Sequence, residues 1–329
     1  MQNNILPTSY NKDFLTMIGY AIKAPSGHNT QPWNFKLSDT SIEILPNFAQ
    51  TLPAVDADNR ELFISLGCAL ENICITADYF GYNYNITKQN EKSIIIDLEK
   101  TNVPVQNSLF QQIEKRQTNR NVYKIQTINS SLIAQLNNIP LQENINIYIY
   151  EKGTNNFDIL SEYILKGNEI QMNDKAFKEE LVSWMRFTKG EISKTQNGLT
   201  FSALGFPSIP RFLGKPIVKS YLKPKKQNKT DLKKIQSSSH FVLFTTKNNT
   251  VTEWINLGRS LENVTLKATE LGIANAFLNP PCEVEMLANE LKTKLPINNN
   301  HPTILMRIGY ADTMPYSPRK SIEDVIIIE

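Results

Sequence analysis

The chain has little of what usually betrays a function. Its 329 residues include three cysteines, Cys68, Cys74 and Cys282, and three histidines, His28, His240 and His301. No CxxC pair or Cys/His cluster has metal-ligand spacing, which argues against a zinc site, and so few thiols argue against a disulfide framework. An odd set of thiols in apolar surroundings predicts reduced, buried side chains and a reducing compartment. No Ser/His/Asp or Cys/His constellation offers a nucleophile with its base. Charge of one sign is missing too: 35 Lys and Arg against 32 Asp and Glu leave +3, too balanced to imply a nucleic-acid or membrane partner. No apolar run approaches the ~20 residues of a membrane span. The start, MQNNILPTSYNKDF, lacks the basic and apolar regions of a signal peptide. The expectation is a cytoplasmic protein.

With 40% hydrophobic and 20% charged residues the chain can bury a proper core. Two stretches of it are alike. Gly67-Cys68-Ala69-Leu70-Glu71-Asn72 opens an apolar helical stretch ending near Gly81, and Gly258-Arg259-Ser260-Leu261-Glu262-Asn263 opens another ending near Gly272. Both pairs of glycines are 191 residues apart (258 − 67 and 272 − 81), and Ala77 and Ala268 match at the same offset. A repeat at constant offset, without a gap, points to internal duplication. Ile42–Leu45, Ser93–Leu98, Ile145–Tyr150, Phe241–Thr246 and Ile304–Ile308 are rich in β-branched or aromatic residues and bounded by polar turns, so they are expected to be strands. Strands alternating irregularly with long helices indicate an α+β fold. Residues 155–235 interrupt the pattern with a helix over Phe177–Phe187, a loop from Gly198 to Pro216 and a lysine-rich run, Lys219–Lys234. They are expected to form a lid or arm.

The sharpest local signal is Ala24-Pro25-Ser26-Gly27-His28-Asn29-Thr30-Gln31-Pro32-Trp33, after a helical stretch at Lys12–Ile22. Two prolines and a glycine constrain a tight loop on which Ser26, Asn29 and Gln31 carry hydrogen-bonding groups. It suits a planar heterocycle, or equally a rigid turn anchored by Trp33. The pattern P-S-x-x-N-x-Q-P-W resembles the flavin-proximal loop of the nitroreductase family. Arg116-Gln117-Thr118-Asn119-Arg120, after a helical stretch at Leu109–Lys115, resembles the family's arginine-rich entry motif. Arg307-Ile308-Gly309-Tyr310 and then Ser317-Pro318-Arg319-Lys320 resemble its C-terminal strand and basic segment. The resemblance runs through nearly the whole chain except 155–235, and is strongest to the Acg-like nitroreductases with two fused halves and a lid.

That resemblance implies a nitroreductase-like α+β fold in which residues 1–107 form one half and 108–329 the other, an intramolecular pseudo-dimer with an insertion at about 155–235. The loop lies in one half and the arginine motif in the other, so one complete FMN site is implied. In it, Arg116 and Arg319 would meet the phosphate, with Gln117 and Thr118 beside them and Lys320 as a second cation. Arg120 and Lys234 would stand at the flavin N1/O2 edge. Pro25, Ser26 and Asn29 would reach the ring, and Leu278, Asn279 and Pro280 would lie near N5. The flavin carries the chemistry, so no side chain is expected to be catalytic. His28 is expected to be satisfied by its neighbours, and Cys68 and Cys74 to be core thiols.

The implied function is hydride transfer from NAD(P)H through FMN to a nitroaromatic, quinone or similar small-molecule acceptor, by a monomer or weak homodimer. The alternative is a flavin-sequestering protein whose arm, carrying Phe201, Phe206 and Phe212, covers the ring. Nucleic-acid binding through the lysine run is disfavoured, because it offers few aromatics or arginines for stacking or base contacts.

Overall fold

The computed structural model describes residues 10–101, 103–205 and 207–328. The first four strands are β1 (Trp33–Leu37), β2 (Ser41–Pro46), β3 (Tyr82–Gln89) and β4 (Ile94–Lys100). They form an antiparallel sheet in the order β1-β2-β4-β3. After them come β5 (Ile145–Glu151), the two-residue strands β6 (Met185–Arg186) and β7 (Leu199–Thr200), then β8 (His240–Thr246), β9 (Ala274–Phe277) and β10 (His301–Gly309). A second antiparallel sheet has the order β5-β8-β10-β9, and β6 pairs with β7.

Eleven helices complete the described residues: α1 (Lys12–Ala21), α2 (Arg60–Tyr79), α3 (Ser130–Asn137), α4 (Asn155–Asn173), α5 (Lys175–Ser183), α6 (Lys189–Thr195), α7 (Arg211–Tyr221), α8 (Pro224–Ser237), α9 (Val251–Glu270), α10 (Pro280–Glu283) and α11 (Glu285–Lys294). The expected α+β mixture is present. The five expected strands correspond to β2, β4, β5, β8 and β10, with Ser93 one residue before β4.

The two sheets are buried differently. Along β2, Ile42 and Ile44 point into the core and their neighbours are partly exposed, the alternation of a sheet with one wet face. Every residue of β8 is buried. Its Val242 and Phe244 join the central core, while Phe241 and Leu243 join a second core with Phe157 and Leu160 of α4 and Leu287 and Leu291 of α11. The stretch expected to be loop, Gly198–Pro216, runs into α7 from Arg211, and the lysine-rich run, expected as part of a lid or arm, is largely α8, which packs on α4. The residues between α4 and α8 build a small core of their own from Phe177, Val182, Phe187, Phe201, Val218 and Leu222, joined by Leu52 and Val55.

Between the sheets, α2 and α9 cross at glycines. A Cβ on Gly67 would stand 2.1 Å from the carbonyl oxygen of Ile255, and one on Gly258 would stand 2.0 Å from that of Ile64. Only glycine permits this backbone approach. The contact is reciprocal at the 191-residue offset, because Ile64 is to Gly67 what Ile255 is to Gly258. The polar contacts repeat it: Asn263 Nδ2 donates to Glu71 Oε1 at 2.7 Å, and Asn72 adjoins Glu262. Although α2 has the length and hydropathy of a membrane span, it is buried on all sides from Leu62 to Ala77, as a central core helix is.

Candidate functional site

A cavity of about 440 Å³ opens where the loop at 25–29, the start of α2, residues 113–120, α4, α5, α10 and the C-terminal segment meet. Sites for small organic ligands usually measure ~300–1,000 Å³. Of the expected site residues, Pro25, Ser26, Asn29, Arg116, Gln117, Thr118, Arg120, Lys234, Leu278, Asn279, Pro280 and Arg319 all line it. Lys320 does not. Its ammonium is directed at the carbonyl oxygen of Gln31, 3.5 Å away, and burial holds its pKa below the usual lysine range.

The loop is a strained turn. His28, Asn29 and Gln31 have φ of 49°, 57° and 54°, a left-handed region sparsely used by side-chain-bearing residues. Hydrogen bonds hold it: Ser26 Oγ accepts from the Gln31 amide at 3.0 Å. Asn29 Nδ2 donates to the carbonyls of Gly198 and Pro318, and its Oδ1 accepts from Arg319 at 2.8 Å. Gln31 Nε2 donates to the Gln196 carbonyl at 2.8 Å, while its Oε1 accepts from the Lys320 amide. The amides of Asn29 and Gln31, expected to face a ligand, are therefore spent on the C-terminal segment and on the α6–β7 turn. His28 also departs from expectation. Its Nε2 is buried without a partner among the described residues, and burial together with the Arg120 charge pushes its pKa down to about 4.

Beneath the loop lie two guanidiniums and one carboxylate. Arg116 Nε is 3.3 Å from Glu262 Oε1, and its Nη2 donates to the Lys23 carbonyl at 2.7 Å. Arg319 donates to that same carbonyl at 3.1 Å and to Ala24 at 3.2 Å, while its Nε is buried without a partner among the described residues. Burial, with Arg116 alongside, depresses the Arg319 pKa to about 9, and Glu262 opposes this. Burial raises the Glu262 carboxyl against the pull of Arg116. The expected helix before Arg116 is a short 3-10 turn, Ser108–Gln112.

Arg120 stands apart. It lines the cavity, and among the described residues its guanidinium makes no hydrogen bond or ion pair. Burial lowers its pKa, with Arg307 adding repulsion. The Gln117 amide is stitched to both backbone groups of Met314. Lys234 pairs with Asp231 at 2.8 Å. Asn279 donates to Glu61 at 2.7 Å and accepts from the Leu305 amide at 3.0 Å.

Sequence reasoning missed the carboxyl pair on the cavity wall. Glu61, in the first turn of α2, and Glu283, ending α10, share a hydrogen bond. Burial first, and Glu283 second, raises the Glu61 pKa, and burial raises that of Glu283. Nearby Asp56, which accepts from the Glu61 and Leu62 amides, is pushed up to about 7 by burial and by Glu61. No sequence pattern marks such a pair, because buried and solvated glutamates look alike. Met172, Phe177, Leu181 and Leu199 add apolar side chains to the cavity lining. Phe201 instead packs on Phe187 with ring centroids 4.9 Å apart, Phe212 points to solvent, and Phe206 lies outside the described residues.

No family model matches the chain. It is 22% identical over 325 residues to the protein named Putative NAD(P)H nitroreductase Rv3131 of Mycobacterium tuberculosis, covering 94% of this chain and 90% of that one. Uncharacterized protein Rv3127 of the same organism is 33% identical over 72 residues, 21% of each chain. Among solved structures, the FMN-dependent nitroreductase NfnB from Mycobacterium smegmatis in complex with NADPH has a TM-score of 0.42 at 15% identity, with 67% of this chain and 96% of that chain covered. A nitroreductase with bound FMN from Bacteroides fragilis has a TM-score of 0.41 at 15% identity, with 68% and 100% covered.

Proposed function

We propose that this chain, which resembles the NAD(P)H nitroreductases along 94% of its length, is an oxidoreductase that binds FMN in the 440 Å³ cavity. It takes NAD(P)H as donor and reduces a nitroaromatic, quinone or similar small acceptor. One observation carries this reading. Arg116 is buried and Arg319 half-buried beside it against a single buried carboxylate, Glu262, and Arg120, unpaired among the described residues, adds a third guanidinium to the same cavity. Buried cations in excess of buried anions are costly, and an anionic ligand relieves the imbalance. A phosphate monoester bearing a flat heterocycle fits such a donor set.

When bound, FMN supplies the hydride-accepting and hydride-donating ring. The protein's part is to hold and enclose it. Arg116, Arg319 and Thr118 would bind the phosphate, and Arg120 and Lys234 would balance charge at the ring's edge. Pro25, Ser26 and the Leu278–Pro280 turn would wall the ring, while Phe177, Leu181 and Leu199 keep water away. Glu61 and Glu283, sharing a proton, carry one negative charge between them instead of two, which lessens their repulsion of an anion.

The reciprocal α2–α9 crossing supports two duplicated halves, 1–107 and 108–329, in one monomeric chain. In the place equivalent to the Arg116–Glu262 pair, Arg259 is bonded to Glu71 at 2.7 Å, which supports one working site. Three buried free thiols are consistent with a cytoplasmic location. A second reading, flavin sequestration with little turnover, is favoured by one feature. The bonds from Asn29 to Gly198 and from Gln31 to Gln196 pin the 174–223 segment onto the loop.

The purified protein is expected to be yellow, with bands near roughly 375 and 450 nm from the flavin and about one FMN per chain. Colourless protein that does not take up FMN would reject the proposal. Two FMN per chain would reject the single-site reading.

A further inference from the structure

We propose that the outer face of the 174–223 segment docks on an anionic membrane surface, with α7 lying flat among the lipid headgroups. This goes beyond the cofactor proposal and does not depend on it. Helix α7 is held to the protein by one narrow stripe. Gly214, Val218 and, just past its end, Leu222 are buried, and a Cβ on Gly214 would stand 2.3 Å from the Phe187 ring. At 3.6 residues per turn, Phe212, Leu213, Pro216 and Ile217 gather on the side away from that stripe. Phe212 is 75% exposed, Leu213 50%, Ile217 48% and the adjacent Tyr221 60%. A surface helix normally turns its apolar residues inward and polar ones outward; α7 carries apolar residues outward as well.

Cations are numerous on α7 and on the following helix α8. Lys215, Lys219, Lys223, Lys225, Lys226, Lys229 and Lys233 are all exposed, and none is ion-paired among the described residues. Lys226 Nζ lies over the Tyr221 ring, 4.4 Å from its centroid. The sole acid in residues 211–233 is Asp231, which is buried and bonded to Lys234. Total charge conceals this concentration, because acids elsewhere in the chain cancel it.

The combination selects the occupant. A nucleic acid would meet the lysines but leave Phe212, Leu213 and Ile217 in water. A second copy would cover those side chains but bring two sets of seven unpaired lysines together. An anionic bilayer satisfies both, taking the apolar side chains below the headgroups and the ammoniums among them.

The test is sedimentation of the full-length protein with vesicles of phosphatidylcholine alone or mixed with phosphatidylglycerol. Binding is expected only to the mixed vesicles, with release at high salt. Phe212→Ser/Ile217→Ser and Lys219→Glu/Lys225→Glu/Lys229→Glu are each expected to lower binding about tenfold or more. No binding to the mixed vesicles, or equal binding to both kinds, overturns the proposal. So does loss of binding with the charge-reversed variant but not the apolar one, which marks a general polyanion face. A halved mass in light scattering for the apolar variant, with unchanged sedimentation, assigns the face to a second copy instead. If a variant fails to fold, the wild-type comparison of lipids and salt still decides the matter.

Discussion

Arg120 offers the cleanest separation of ligand binding from folding. Its guanidinium faces the cavity, forms no hydrogen bond or ion pair among the described residues, and is disfavoured by burial and by Arg307. Replacing it with alanine removes a half-buried, unpaired charge and abandons no acceptor. Stability is therefore expected to stay level or rise by up to about 1 kcal/mol. Its contact with a bound anion is charge-assisted, so FMN affinity is expected to fall by about 1.5–3 kcal/mol, roughly 10- to 150-fold. The same change removes a repulsion from His28, whose pKa is expected to rise from about 4 but remain below 6.5, because burial is the larger cause. Flavin fluorescence titration gives the affinity, calorimetry the stability and imidazole NMR the pKa. An Arg120→Ala protein with unchanged FMN affinity would refute the assignment. A stability loss as large as that of Arg319→Ala would show that Arg120 is structural.

Arg319→Ala should cost about 2–4 kcal/mol, since it strands the Ala24 carbonyl and Asn29 Oδ1, while the Lys23 carbonyl keeps Arg116. Beyond this it should weaken FMN more than riboflavin, and equal losses for the two flavins would deny the phosphate a place beside it. Gly67→Ala should destabilise the chain by about 3 kcal/mol or more in urea, because the Ile255 carbonyl oxygen lies where its Cβ must go; a cost below about 1 kcal/mol would contradict the crossing. The folded-state pKa values of Glu61, Glu283 and Asp56 lie above their unfolded values. The folded state then binds more protons, and stability should fall as pH rises from about 5 to 8. Glu61→Gln should flatten that slope in denaturation measured across pH; an unaltered slope would sink the shared-proton description. Gln31→Leu removes the bond to Gln196 and should speed stopped-flow reduction of bound flavin by NADPH at matched occupancy if the 174–223 segment limits access. An unchanged rate would set the sequestration reading aside.

Local chemistry was enough to reveal much of this protein. The β-branched runs at 42–45, 93–98, 145–150, 241–246 and 304–308 specify strands by side-chain shape, and the apolar stretches after Gly67 and Gly258 specify core helices. Pro25–Trp33, Arg116–Arg120 and Ser317–Lys320 were legible as candidates because each motif is short and contiguous, and residues of all three line one cavity. Tertiary structure alone decided how that chemistry is used. Asn29 and Gln31 look like ligand-binding amides in sequence, yet packing of the α6–β7 turn and the C-terminal segment claims both. Glu61 and Glu283 are 222 residues apart (283 − 61), and only folding brings them together in a medium that makes them share a proton. The glycines at 67 and 258 announce a close approach, but that they approach each other is a property of the packed chain. Likewise, seven lysines count for nothing in a balanced composition until α7 and α8 pack their inner sides and leave those lysines exposed.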